Sequence, residues 1–319
     1  MADIDPFDIV DTDATHVVIE LFGGDNNLSH FVREDMEEMR AGMDGPFAVL
    51  GLADLKPGGT KVVEISPGAG IRTVEEMGEI DTGDPETLIR FLARALVTYG
   101  PDVRKAIGFW DHGSGVFDEH DPNETIVDRG PHRLSREERV RRRPARRLFF
   151  AAEEVKGDPR LRAMLHDDTN AGVLTNLEAR NVLDIAFQRA GFEGKVDLIF
   201  SDTCLNGMVE VLHQFREHAH AVVGSEELEP GDGWDYQQWF RMMSEAPPAT
   251  PEDWAAQTVA AFRAGYADRA DQHPCTLGAF RAEGEVVPAF AELVARRDVH
   301  GEDGFDWLER ARRRAQSFA

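Results

Sequence analysis

The 319-residue sequence has few lysines, tyrosines and cysteines, and no long hydrophobic run. Two cysteines, Cys204 and Cys275, cannot build a disulfide scaffold or a four-cysteine zinc site. No apolar stretch of about 18 residues occurs, so no transmembrane helix is expected. The opening Met1-Ala2-Asp3-Ile4-Asp5 lacks the basic and apolar regions of a signal peptide, and a cytoplasmic location is the expectation. Positive charge is scarce: 35 Lys and Arg stand against 59 Asp and Glu, a net charge of −24. An acidic chain lacks the basic face that a nucleic-acid groove requires, so neither nucleic acid nor membrane is an expected partner. What remains is 42% hydrophobic and 29% charged, a globular balance with ample core material.

The basic charge is unevenly spread, with one dense run. Arg133, Arg136, Arg139, Arg141, Arg142, Arg143, Arg146 and Arg147 face only Glu137 and Glu138 in that stretch. The segment is therefore strongly cationic within an acidic chain, and polar, Gly- and Arg-rich sequence surrounds it.

Elsewhere, strand-like and helix-like patterns alternate. Apolar, β-branched runs predict strands at 16–22, 47–53, 60–65, 103–110, 196–201, 219–224 and near 276–280. Amphipathic runs predict helices at about 29–41, 85–99, 174–190, 205–216 and 251–271, with two more closing the chain. Thr175-Asn-Leu-Glu178 is a capping-box pattern. Such alternation implies an α/β fold, an α/β/α sandwich around a mostly parallel sheet. The expected organisation is a single domain over 1–319, with an Arg-rich loop insertion at about 129–147 and a helical C-terminal extension at about 250–319.

In open α/β sheets, ligands bind beyond the carboxyl ends of the strands. His112 follows one predicted core strand and Cys204 follows another, and adjacent parallel strands would bring them together. A cysteine nucleophile needs histidine or another base to favour its thiolate, and donors for the oxyanion. A helix predicted to start at Leu205 would aim N–H groups at the sulfur. Each residue alone reads more readily as ordinary packing, and only as a pair ending two core strands do they weigh evenly between packing and chemistry.

The surrounding residues carry more. Phe-Trp-Asp-His-Gly-Ser-Gly (109–115), Ser-Asp-Thr-Cys-Leu-Asn-Gly-Met-Val-Glu-Val (201–211), Ser-Glu-Glu-Leu-Glu-Pro-Gly-Asp-Gly-Trp (225–234) and Gly-Asp-Asn-Asn-Leu (24–28) resemble, in order, blocks of the clostripain family of cysteine peptidases. That resemblance implies a caspase-like fold and a cysteine endopeptidase that cleaves after Arg, with Lys as a second P1 residue. It makes Cys204 the nucleophile, His112 the general acid/base, and the backbone N–H groups of Gly113 and Cys204 the oxyanion hole. It assigns Asp202 and Asp232 to the S1 pocket, where a carboxylate pairs bidentately with a guanidinium. It further implies protein or peptide substrates with basic P1 residues. Relatives are processed between the two catalytic blocks, so autocleavage at one of the eight arginines of 133–147 is an expectation. The chemistry needs no cofactor. Calcium enters through the resemblance: Asp118-Glu119-His120-Asp121 is acidic but has no EF-hand spacing, and the metal ligands are undetermined.

Other readings fare worse. His112-Gly113-Ser114-Gly115 lacks the flanking glycines of a serine-hydrolase elbow, and no His-x-x-x-His pair points to a zinc hydrolase. Gly23-Gly24 has neither a Walker A lysine nor a GxGxxG pattern. The competing class is a catalytically silent caspase-like scaffold that binds basic peptides or a protein partner. The oligomeric state is open.

Overall fold

Strand β1 (His16–Gly24) is buried along its whole length, and its apolar side chains divide between two faces. Val17, Ile19 and Leu21 join one core cluster and Val18 and Phe22 the other, as period-two geometry requires. A strand buried on both faces belongs in the middle of a sheet covered by helices. The computed structural model, which describes residues 4–113, 115, 164–268, 275–283 and 292, has that architecture.

β2 (Phe47–Leu55), β5 (Arg104–Trp110), β8 (Val196–Asp202) and β9 (Ala219–Gly224) run parallel with β1. β3 (Gly59–Ser66) and β4 (Gly70–Gly78) extend one edge antiparallel, and β10 (Gly278–Arg281) closes the other. The order is β10-β9-β8-β5-β1-β2-β3-β4. A small hairpin, β6 (Met164–Asp167) with β7 (Gly172–Leu174), packs beside β1.

The helices form the two outer layers. On one face lie α2 (Pro85–Thr98), α3 (Asn176–Ala190) and the short α4 (Val209–Gln214), contributing Leu88, Leu92, Val182, Leu183 and Val211 to the core. On the other lie α1 (Ser29–Gly42), α5 (Tyr236–Glu245) and α6 (Pro251–Tyr266), contributing Met39, Trp239 and Trp254. The α/β/α sandwich expected from the sequence is the observed fold. No helix among the described residues is long and apolar enough to cross a membrane.

Local signals explain the boundaries. Asp84 caps α2 by accepting from the Thr87 N–H, and Pro85 occupies the first turn. Thr175 and Glu178 form the reciprocal capping box that starts α3 at Asn176, two residues later than expected, and Gly191 ends it at φ 63°. The helix expected at 205–216 is shortened to α4. Leu205 sits at φ 65°, and the Leu205 and Gly207 N–H groups donate to Glu227 O and Ser225 O instead of entering a helix. β4, the β6–β7 hairpin and α5 are additions to the sequence reading. The Arg-rich segment 133–147 and nearly all of 284–319 lie outside the described residues. From the region read as a C-terminal extension, α6 packs its Trp254 fully into the core and β10 pairs with β9.

Helix α1 meets α5 closely at Gly42: a Cβ there would stand 2.2 Å from Gln237 O, a backbone atom that cannot swing aside. Gly42→Ala is expected to lower stability by about 1–3 kcal/mol through this overlap. Gly100→Ala, with nothing within 4 Å of the added carbon, is expected to change it by less than about 0.5 kcal/mol. Urea denaturation of the two variants checks the contrast, and equal midpoints would contradict it.

Candidate active site

The parallel register of β5 and β8 pairs Trp110 with Asp202. Two residues further along each strand come His112 and Cys204, and both line one open cleft of about 400 Å³ beyond the carboxyl ends. Gly113 explains how closely the two strand ends approach. A Cβ on it would lie 2.3 Å from Cys204 O and 3.0 Å from Cys204 N, so only glycine fits.

Cys204 is buried, 5% exposed, and opens a tight turn. The following residue, Leu205, adopts a left-handed conformation that costs a side-chain-bearing residue about 1–3 kcal/mol. The donor to the sulfur is the Glu229 N–H, 3.3 Å away, on the loop after β9. This corrects the expectation of a helix N-terminus aimed at the thiol: α4 begins only at Val209. Burial pushes the Cys204 thiol up to about 11; the Glu229 contact opposes that shift and the Asp202 carboxylate adds to it.

His112 is held from the loop that follows β1. Its Nε2 lies 2.8 Å from Asn27 Oδ1, and because an amide oxygen only accepts, Nε2 carries the hydrogen. The preceding residue is fixed by the same loop. Asp111 Oδ1 accepts from Asn26 Nδ2 at 2.8 Å, and its Oδ2 accepts from the His166 N–H on β6. Burial raises the Asp111 carboxyl well above the ordinary range, with the His166 and His112 N–H groups opposing.

Asp202 lies on the cleft floor, 6% exposed, accepting from Tyr236 Oη at 2.9 Å. It shares the floor with Asp35 and Glu229. Asp35 Oδ2 accepts from Trp110 Nε1 at 2.7 Å, and Glu229 Oε2 accepts from Trp234 Nε1 at 3.2 Å. Beneath them is Glu20, in the middle of β1 and 0% exposed, with neither carboxyl oxygen hydrogen-bonded. Gly108 and Phe200 lie beside it, and a Cβ on Gly108 would meet both Glu20 oxygens at 2.4 Å. Desolvation raises Glu20, Asp35 and Glu229 well above the carboxylate range, and Asp202 adds to all three. Asp202 is itself raised by burial, and the hydrogen bonds from the Glu229 carboxyl, Tyr236 and the Trp234 N–H offset part of that shift. Asp232 is exposed, between two glycines that line the cleft.

Sequence reasoning thus located His112, Gly113, Cys204 and Asp202, which converge, and Asp232, which stands at the rim. It missed Asn27, Glu229, Tyr236, Asp35 and Glu20. Asn27 and Glu229 stand inside the blocks 24–28 and 225–234 without a role assigned to them there, and Glu20 is readable as a carboxylate inside a strand apolar on both faces. Among the described residues, the carboxylates close enough to share a metal ion are Asp25, Asp54 and Asp167, next to the cleft. The acidic run 118–121 lies outside the described residues.

A mostly parallel α/β/α sheet carrying a histidine and a cysteine on neighbouring strand ends has the architecture of a caspase-like cysteine peptidase. The clostripain family model matches residues 21–129 and 151–284, most of the chain, and the protein belongs to that family of cysteine peptidases. The fold is similar to that of a secreted C11 cysteine protease from Bacteroides thetaiotaomicron solved with an irreversible peptide inhibitor (18% identity, 90% of this chain and 70% of that one, TM-score 0.61). It is also similar to an inactive zymogen C11 protease from Parabacteroides distasonis (18% identity, 91% and 66%, TM-score 0.58). Among curated proteins, none matches the chain.

Glu20 gives the buried carboxylates a testable consequence. Its folded pKa is raised, so above the unfolded carboxyl range the folded chain holds a proton that the unfolded chain has lost. Its contribution to stability then falls by about 1.4 kcal/mol per pH unit until its folded pKa is reached. Glu20→Gln removes the titration, and its advantage over wild type in thermal melts is expected to grow as the pH rises above the unfolded carboxyl range. A difference independent of pH would contradict the assignment.

Proposed function

We propose that the protein is an endopeptidase that cleaves after arginine, and after lysine less well, using Cys204 and His112. The observation that supports this most is the β5–β8 register, which delivers both side chains to one cleft whose floor carries Asp202. Cys204 passes its thiol proton to His112, the thiolate attacks the scissile carbonyl carbon, and the negative charge moves to the carbonyl oxygen. The N–H groups of Gly113 and Cys204, on backbones in van der Waals contact, stabilise that oxyanion. His112 gives a proton to the leaving amine, the C–N bond breaks, and a thioester remains. Water, deprotonated by His112, then hydrolyses the thioester and restores the thiol.

Asp202 supplies the P1 preference. Its carboxylate is buried beside Asp35 and Glu229, so an incoming guanidinium meets acceptors that water screens poorly. A fork-shaped cation satisfies two acceptors where an ammonium presents a point charge, which favours Arg over Lys. Asp232 acts from the rim. Protein or peptide chains with basic P1 residues are the substrates.

In the conformation described, the thiol is protonated at neutral pH and the loop carrying Glu229 packs against it. We assign this conformation to a precursor, activated when the enzyme cuts within its own Arg133–Arg147 segment.

Fluorogenic peptides with Arg, Lys, Asp or Ala at P1, together with N-terminal sequencing of the purified chain, test the reading. Turnover after Arg is expected to fall at least about 1,000-fold in Cys204→Ala, which should also stay a single chain. Asp202→Asn should reduce Arg turnover about 100-fold or more and reduce turnover of an Ala substrate far less. Silence on every peptide from chain already cut in 133–147 would favour the binding scaffold. Full Arg turnover in Asp202→Asn would remove Asp202 from the pocket.

A further inference from the structure

Asp202 and Asp35 reach the cleft floor from two layers of the fold, the first at the end of β8 and the second on α1. Trp110 brings them together. It is the register partner of Asp202 on β5, and its indole Nε1 donates to Asp35 Oδ2 at 2.7 Å. Asp202 Oδ2 is fixed in turn by Tyr236 Oη at 2.9 Å. Both side chains are buried, and among the described residues neither forms an ion pair. The charges acting on Asp35 are those of Asp202, Glu38 and Glu34, all negative.

Gly233 marks the space that the two carboxylates share. A Cβ on it would stand 3.4 Å from Asp202 Oδ2 and 3.9 Å from Asp35 Oδ2, so its Cα faces the gap between them. The two Oδ2 atoms are no further apart than these distances laid end to end. Two edges of one guanidinium reach acceptors about 7 Å apart, whereas an ammonium, with its donors on a single atom, reaches about 5 Å. Any side chain at 233 would take up the gap. The Gly233 N–H donates to Pro230 O at 2.9 Å and its carbonyl accepts from Tyr266 Oη at 2.6 Å, so the opening is held from both sides. Leu28, Phe31 and Trp110 line the same cleft and offer apolar walls to the stem of a long basic side chain.

We propose that Asp35 is the second carboxylate that takes the P1 guanidinium, with Asp202 on one of its edges, Asp35 on another and the Gly233 Cα beside the gap. The inference rests on the reading of Asp202 as the acid that selects a basic P1 residue, and it names the residue that separates Arg from Lys. A guanidinium pairs with both carboxylates at once. An ammonium pairs with one and leaves the other a buried acceptor without a charged partner. The arriving cation offsets the negative neighbours of Asp35 and favours its charged form, any proton it holds leaving to water. Asp232, one residue before Gly233 and exposed, adds only its field.

Peptides identical except for Arg, Lys or Ala at P1 test this on wild type, Asp35→Asn, Asp202→Asn and Asp232→Asn, each nicked within 133–147 with trypsin that is then removed. Asn at 35 keeps an oxygen for Trp110 Nε1. Asp35→Asn is expected to lower kcat/KM about 30-fold for Arg and about threefold for Lys, mostly through KM, so the Arg-to-Lys ratio falls about tenfold. Turnover of the Ala peptide, which engages neither carboxylate, should fall far less and reports folding. Asp232→Asn should lower Arg and Lys together, by about threefold, leaving their ratio in place. A wild-type measurement is independent of how any variant folds. An ω-N-methylarginine at P1 keeps the charge and one clear edge, and it should be cut at least about tenfold more slowly than Arg, because the second edge is blocked. Methylarginine cut as fast as Arg overturns the inference, as does an Arg-to-Lys ratio that survives Asp35→Asn or collapses in Asp232→Asn. Any of these, beside loss of Arg turnover in Asp202→Asn, leaves the reading of Asp202 standing. Arg turnover that survives Asp202→Asn, or is missing from wild type, overturns both.

Discussion

The pairing of β5 with β8 is the constraint on which the rest of the site depends. Parallel neighbours in a sheet end on the same side, so a strand closing at Trp110 and another closing at Asp202 must release their next residues into the same space. Gly113 then lets those two segments touch, because no side chain separates it from the Cys204 backbone. A one-residue slip of this register would move Asp202 to the opposite face of the sheet and separate it from Asp35 and Tyr236. The apolar alternation along β5 and β8, with each face buried under its own helices, makes such a slip prohibitively unfavourable.

The second organising feature is an expense that the fold carries beneath its cleft. Glu20, Asp35, Asp202 and Glu229 are buried together, and in the folded chain most of them must hold protons. For stability alone, apolar residues would serve better there. Under the proposed function, this cluster is there to receive the cationic P1 side chain of a substrate. Asp202 is the best supplied with hydrogen bonds of the four, from the Glu229 carboxyl, Tyr236 Oη and the Trp234 N–H. The left-handed Leu205 and the buried thiol of Cys204 complete the site as described.

The fold was legible in the sequence wherever an element was strongly apolar or clearly capped. β1, β2, β5, β8 and β9, together with α2 and α3, declare themselves through β-branched runs, Pro85 and the Thr175–Glu178 box. β4 did not, because an edge strand half exposed to water keeps polar residues such as Arg72, Glu75 and Glu76. α5 was hidden by its glycine-rich approach, although Tyr236, Trp239, Phe240 and Met243 sit at helical spacing. α4 was overextended because tertiary hydrogen bonds to the 225–227 loop override local helix preference. At the site, His112, Cys204 and Asp202 could be read from strand ends and the family's motifs. Asn27, Glu229 and Tyr236 could not, since each acts across 25 or more residues through a contact that only the folded chain creates.

The central claim is that Cys204 reacts under the direction of a cation-selecting floor. Intact-mass and peptide-mapping mass spectrometry after exposure to peptidyl chloromethyl ketones with Arg or Asp at P1 tests it most directly. The account predicts one covalent adduct from the Arg reagent, on Cys204, in chain cut within 133–147, with little from the Asp reagent and little in His112→Ala. Equal labelling by both reagents, or an adduct confined to Cys275, would contradict it.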